Sequence, residues 1–316
     1  MQDYIFYRNK TLFYVQLLFI LLLLPYNQLY ASLKNQNNVI VGILSTKIPS
    51  YPTEYKTAVN ITKILNSKGV KVVLIDYNTV IKSAEEFNSC GFQTFDQAIN
   101  FVLSKFIHDN GINRILIPGN YYNISSSPLN PSPNRQLVTN SIVTIVKNNP
   151  KIHLLAICGG LQGIMHAQGI LVNRIDNMVQ SQDTVNTHIV SMPYPYSKNA
   201  NLHQVIINLN SRLANIICKT FKRQYDRIVT YLPDSHHEAI NSSSDNIKKM
   251  YALGYKVVAI SEDGIIEAVE DVNNNILLQM HPEYLLMNYK EKLTDYHRKK
   301  ALIISDAIID DFLYRK

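Results

Sequence analysis

Four short runs of apolar and β-branched residues, Asn38 to Leu44, Val70 to Ile75, Arg114 to Ile117 and Lys151 to Ile157, are separated by helix-length amphipathic stretches. Runs that are almost continuously apolar fit strands buried on both faces. Their alternation with helices predicts βαβ units and a parallel sheet covered on each side. Arg135 to Lys147 brings Leu137, Ile142, Val143, Ile145 and Val146 near one face and is predicted as a crossover helix. Beyond Gln182 the pattern changes. His188 to Met192, Gln204 to Ile207, Arg227 to Leu232, Lys256 to Ser261, Ile265 to Glu270 and Ile276 to Met280 are predicted as strands joined by short turns. Glu262-Asp263-Gly264 supplies a hairpin turn. Asp295 to Phe312 is predicted as a closing helix. Asn120 to Asn134, with three prolines and little apolar content, is a loop long enough to carry function.

The N-terminus has a different pattern. Arg8 and Lys10 precede an apolar stretch, Leu12 to Leu24, interrupted only by Gln16 and closed by Pro25. The stretch is shorter than the ~20 residues of a bilayer-spanning helix. With Leu29-Tyr30-Ala31 behind it, it reads as a secretory signal over residues 1–31, with cleavage after Ala31, or else as an uncleaved N-terminal anchor. Both place residues 32–316 across a membrane, periplasmic, secreted or anchored by that segment. This body is long enough for one large α/β domain.

Composition narrows the classes. With 46% hydrophobic and 17% charged residues, 11 Gly, 12 Pro and 3 Cys, the chain is neither fibrous, disordered nor a disulfide scaffold. A formal net charge of +7 raises nucleic-acid binding, but the basic segment Lys290 to Lys300 also carries Glu291 and Asp295. Its mixture reads as a solvated helix face, and the 20 tyrosines are scattered. No nucleic-acid partner is expected, and no P-loop or dinucleotide fingerprint appears, so no cofactor is expected. The cysteines are Cys90, Cys158 and Cys218. An oxidising compartment would leave pairing of Cys90 with Cys218 open.

Cys158 carries the sharpest signal. The run Lys151 to Ile157 ends in Cys158, then Gly159-Gly160-Leu161-Gln162-Gly163 leads into an apolar helical stretch. A strand, a nucleophile, glycines and a helix in immediate succession are the parts of a nucleophile elbow. There the side chain is presented on a strained turn, and the helix N-terminus offers N–H groups to an oxyanion. A buried structural cysteine at a strand end is the plainer reading. Downstream, Ile276 to Met280 leads into His281-Pro282-Glu283. If this segment is extended, His281 and Glu283 share a side, so that the carboxylate can orient the imidazole as general base for Cys158.

The ordered motifs resemble class I glutamine amidotransferase-like domains. Cys158-Gly-Gly160-Leu-Gln162 matches their C-x-G-x-Q elbow, and Gln279-Met-His281-Pro-Glu283 their Q-x-H-P-E signature. The nearest subgroup is the γ-glutamyl-γ-aminobutyrate hydrolases, of peptidase C26 type. His236-His237-Glu238-Ala239-Ile240 resembles the H-H-Q-A-I of that subgroup, and Asp263-Gly-Ile-Ile-Glu267-Ala268 its D-G-x-x-E-A. The resemblance runs from about Val39 to the C-terminal helix. It implies a flavodoxin-like three-layer α/β fold with a mixed, mainly parallel central sheet and a triad of Cys158, His281 and Glu283. It also implies an oxyanion hole from the backbone N–H groups of Gly159 and Asn120, with Gln162 and His236 facing the substrate. Gln162 has the alternative of packing the first helical turn.

The implied reaction is cleavage of a γ-glutamyl amide through a thioester at Cys158. Ammonia transfer to a partner synthase and a catalytically silent binding protein on the same fold are the alternatives. A homodimer is left open. Three positions depart from the subgroup. Gly159 stands where Arg is usual, Asn120 replaces the second glycine of a P-G-G loop, and Pro233-Asp234-Ser235-His236-His237-Glu238 replaces N-S-x-H-H-Q. An ionised Glu238 facing the pocket would repel a γ-glutamyl α-carboxylate. His188, His203, His236 and His237 with Glu238 lack metal-motif spacing, and adjacent histidines point opposite ways, so no metal is expected.

Overall fold

The computed structural model describes residues 39–47, 52–88, 94–127, 130–179, 182–189, 200–287 and 293–315. The N-terminal segment of residues 1–31 and Cys90 lie outside them. The chain divides into a unit of residues 1–39 and one of residues 40–316, and the second is described here. No helix among the described residues is long and apolar enough to cross a membrane.

Among the described residues its strands are β1 (Ile40–Ser45), β2 (Lys71–Asp76), β3 (Arg114–Ile117), β4 (His153–Ile157), β5 (Val172–Arg174), β6 (Leu202–Ile207), β7 (Ile228–Pro233), β8 (Glu238–Ile240), β9 (Lys256–Ser261), β10 (Ile266–Glu270) and β11 (Ile276–Leu278). Nine of them form one sheet in the order β2-β1-β3-β4-β11-β10-β9-β6-β7, while β5 and β8 pair separately. The ladders from β2 through β11 are parallel and those from β11 to β7 antiparallel. With β11 in fifth place, the parallel half has the flavodoxin-like 2-1-3-4-5 order. The mixed α/β class expected from the sequence is the observed one.

The apolar runs form these strands because both faces are covered. Ile115, Ile117, Leu154 and Ala156 join one core with the helices Tyr77–Asn88, Phe95–Asp109, Pro133–Asn148 and Gly159–Ala167. The intervening Val41, Ile43, Leu116 and Leu155 are buried too, on the side of the helices Pro52–Ser67 and Tyr296–Tyr314. The result is three layers. The crossover helix starts at Pro133, whose missing N–H costs nothing in the first turn. The closing helix starts after Asp295, which accepts from the Arg298 N–H at 2.7 Å.

Two local expectations change. His188 is not in a strand. It ends the helix Gln182–His188, and residues 190–199 lie outside the described set. The second change is the small β5–β8 pair, whose three-residue strands are too short to show a period in the sequence. Glu262-Asp263-Gly264 does make the turn between β9 and β10, with Gly264 at φ 85°.

Candidate active site

The carboxyl ends of β3, β4 and β11 lie side by side. Their three continuations carry Asn120, Cys158 and His281, the crevice where parallel α/β sheets place ligands. Cys158 adopts φ 50° and ψ −110°, a backbone that residues other than glycine rarely occupy. The strain is held from both sides. Its N–H donates to the Leu278 carbonyl at 2.6 Å, and its carbonyl accepts from Gln162 N at 3.0 Å. Gly160 explains the motif glycine, because a Cβ there would lie 2.2 Å from the Ile117 carbonyl oxygen. Only glycine lets the helix start this close to β3.

His281 reaches Cys158 from β11. A methyl group at Gly119 would meet Cε1 of His281 at 3.0 Å and Cβ of Cys158 at 3.5 Å, so the two side chains are neighbours over the end of β3. Nδ1 of His281 lies 2.8 Å from Oε1 of Glu283, and Nε2 lies 3.2 Å from the Ser235 carbonyl oxygen. Sγ of Cys158 is 3.9 Å from that same carbonyl. Tyr284 stacks on the imidazole with ring centroids 4.3 Å apart. Burial pulls the His281 imidazolium down, but the charges of Glu283 and Cys158 and their hydrogen bonds outweigh it and hold the ring well above the ordinary histidine range.

The route by which Glu283 meets His281 differs from the extended one read from sequence. β11 ends at Leu278, Pro282 has helical dihedrals, and Glu283 opens the helix Glu283–Leu286. A helical turn, not strand alternation, folds the carboxylate back onto the ring.

Asn120 lines the cavity beside Cys158, and its Oδ1 accepts from the Tyr122 N–H at 3.3 Å. The loop is anchored by Arg135, which donates to the Pro118 carbonyl at 2.7 Å and to Glu54 at 2.5 Å. Both charged groups are almost fully buried, and Tyr77 donates a further hydrogen bond to Glu54 at 3.1 Å. Gly159 opens the helix directly after Cys158. The cavity has about 340 Å³ between Thr57, the Asn120 to Asn123 segment, Cys158, His281 and Tyr284.

Gln162 and His236 both line this cavity, yet their polar atoms are directed at the protein. Gln162 donates to the Glu238 carbonyl at 2.6 Å and to Oε1 of Gln279 at 3.2 Å. His236 uses Nδ1 on the Glu238 carbonyl at 3.0 Å. Glu238 lines the cavity as well. Its buried carboxylate accepts from Ile124 N at 2.6 Å, Ser125 N at 3.1 Å, Ser125 Oγ at 2.7 Å and Ser126 Oγ at 2.8 Å. The charge ties down the loop after Asn120 at the wall of the cavity.

His236 is buried and His237 exposed, and both line the cavity. The histidine grouping nevertheless exists in another form. His188, His203 and His236 converge with Asp234, Asp263 and Glu267, not with Glu238. Sequence reasoning missed Asp234, Arg135, Glu54 and the Ser235 carbonyl. Asp234 could have been noticed as a carboxylate two residues from a histidine on the same segment.

A strained cysteine at a strand-to-helix turn, beside a histidine held by a glutamate at the parallel edge of an α/β sheet, defines the class of cysteine hydrolases and amidotransferases. The chain belongs to the peptidase C26 family, whose pattern matches residues 116–283, more than half its length. Among solved structures it is similar to a glutamine amidotransferase from Thermotoga maritima, at 12% identity and TM-score 0.46, over 88% of this chain and 99% of that one. It is also similar to a glutamine amidotransferase from Methylobacillus flagellatus, at 9% identity and TM-score 0.44, over 89% of this chain and 97% of that one. No curated protein sequence matches the chain.

Proposed function

We propose that the protein hydrolyses a γ-glutamyl amide by acyl transfer through Cys158. The observation that carries this reading is the His281 ring, fixed at Nδ1 by Glu283 and directing Nε2 to the side where Cys158 projects from its strained turn. His281 takes the Cys158 proton, and the sulfur attacks the side-chain carbonyl carbon of the γ-glutamyl group. The backbone N–H groups of Gly159 and Asn120 receive the developing oxyanion. Collapse expels the amine, which takes its proton from the His281 imidazolium and leaves a γ-glutamyl thioester on Cys158. Water, deprotonated by His281, then attacks the thioester, and the thiolate departs with the carboxylic acid product. Glu283 keeps the tautomer that presents Nε2 and stabilises the imidazolium between the two half-reactions.

A panel of γ-glutamyl amides tested against the purified protein, with Cys158→Ala beside it, checks the reading. Turnover of at least one amide that vanishes in Cys158→Ala supports it. Turnover retained in that variant, or no turnover of any γ-glutamyl amide, overturns it.

A further inference from the structure

The chemistry proposed above uses neither the buried histidines behind Ser235 nor the carboxylates around them. We propose that His188, Asp234, His236 and Glu267 form a closed, structural site for a divalent transition-metal ion of the Zn2+ type, a function separate from the hydrolytic reading.

The donor set is the first argument. Two imidazole nitrogens and two carboxylates, all in buried residues, place their candidate ligand atoms within 4.8 Å of one another. Nδ1 of His188 and Oδ2 of Asp234 are 2.7 Å apart, and Nε2 of His236 and Oδ1 of Asp234 are 2.9 Å apart. Oε1 of Glu267 lies 3.9 Å from each of those two nitrogens. Tetrahedral Zn2+ with bonds of ~2.0–2.1 Å sets its donors ~3.3–3.4 Å from one another, so the two imidazole–Asp234 pairs open and the two imidazole–Glu267 pairs close by about half an ångström each around an ion.

The outer partners are the second argument. A metal-bound histidine gives its other N–H to a carboxylate or a backbone carbonyl, which fixes the tautomer. Nε2 of His188 is 2.8 Å from Oδ2 of Asp263, and Nδ1 of His236 is 3.0 Å from the Glu238 carbonyl. Metal binding then replaces the proton that Nδ1 of His188 shares with Oδ2 of Asp234 at 2.7 Å and the one that Nε2 of His236 presents to Oδ1 at 2.9 Å, which frees each inward nitrogen as a lone-pair donor. His203 stacks on His188 with ring centroids 4.2 Å apart and closes that side.

Buried polar atoms without a hydrogen bond point the same way. Both oxygens of Glu267 are buried and make none, while Oδ1 of Asp234 and Nε2 of His236, 2.9 Å apart, pair only with each other. Glu267 is fully buried and Asp234 is 1% exposed. Leaving such groups without partners is expensive in a protein interior, and a protonated imidazole 3.9 Å away does not supply a hydrogen bond to Glu267. A dication among two neutral imidazoles and two carboxylates satisfies all of them with no net charge. The register of β10 against β9 slips between Ile266 and Ala268, so Glu267 sits at a β-bulge, a device that re-aims a side chain.

With four protein ligands the ion has a structural role. Its ligands Asp234 and His236 flank Ser235, whose carbonyl lies beside Nε2 of His281 and Sγ of Cys158. The ion therefore fixes the turn on which the reacting side chains rest.

The test uses the purified chain carrying Cys158→Ala, so that the thiol cannot hold the metal. The protein is stripped with chelator and then titrated with Zn2+ and, separately, Co2+. Elemental analysis after desalting should find equimolar zinc, and Co2+ should give the visible bands of a tetrahedral site. In the same background Glu267→Gln should lower Zn2+ affinity at least 100-fold, and Asp263→Asn, outside the ligand sphere, by about 10–100-fold. Circular dichroism checks that each variant is folded. If Glu267→Gln does not fold, Asp263→Asn decides. Folded Cys158→Ala protein that takes up no stoichiometric zinc or cobalt overturns the proposal. So does affinity unchanged in a folded Glu267→Gln or Asp263→Asn variant, and in that case the cluster is a proton-filled polar network.

Discussion

The side chain of Asn120 occupies the space that a side chain at residue 159 would need. A Cβ built on Gly159 would lie 2.4 Å from Oδ1 of Asn120 and 2.8 Å from its Cγ. Asn at residue 120 and Gly at residue 159 are therefore sterically coupled. Gly159→Ala should destabilise by about 1–3 kcal/mol through overpacking. Adding Asn120→Gly should recover most of the loss in a denaturant double-mutant cycle. Additive effects of the two changes would show that the side chains do not compete.

Glu238 accepts four hydrogen bonds from residues 124–126. An amide in its place offers one acceptor oxygen instead of two, so Glu238→Gln should cost about 1.5–3 kcal/mol of the charge-assisted bonding. Hydrogen exchange at the Ile124 and Ser125 amides should quicken while exchange in β3 and β4 stays unchanged. Unchanged exchange at both amides would remove the anchoring role.

The buried Arg135–Glu54 pair holds the Pro118 carbonyl, one residue before Gly119. Arg135→Met leaves Glu54 charged and unpaired in the interior, which should lower stability by about 3–5 kcal/mol. The double variant Arg135→Met with Glu54→Gln should recover part of that. It should remain less active than the parent, because the oxyanion loop has lost its clamp. Chemical denaturation and kcat on the same samples separate the two effects.

His153 predicts a component of acid sensitivity. Burial, then the charges of Arg315, Arg114 and Arg212, push its imidazole down to about 3, and Arg315 Nε donates to Nδ1 at 2.9 Å. An unfolded histidine titrates near 6.5. Between those values the unfolded chain binds more protons than the folded one, so stability falls as pH drops from about 6.5 toward 3. His153→Gln keeps an acceptor without a titrating ring. Thermal unfolding from pH 7 to pH 4 should show a smaller loss for the variant, and parallel curves would contradict the assignment.

The parts legible in the sequence were those with local causes. β1, β3 and β4 appear as apolar runs because both faces are buried, and the elbow appears because strand, cysteine, glycines and helix are consecutive. The convergence of residues 188, 203, 234, 236, 263 and 267 is set by tertiary packing and by a bulge, neither of which leaves a period in the chain. The anchoring role of Glu238 is hidden for a related reason. Its type is visible, but the four donors that occupy its carboxylate lie more than 110 residues upstream.

The central claim is that Cys158 carries the acyl group. Rapid-quench intact mass spectrometry during turnover of a γ-glutamyl anilide, followed by peptide mapping, tests it most directly. The expected result is a transient mass gain of one γ-glutamyl group on the peptide containing Cys158, sensitive to hydroxylamine and absent in Cys158→Ser. Turnover with no adduct at Cys158, or an adduct on another residue, would contradict it.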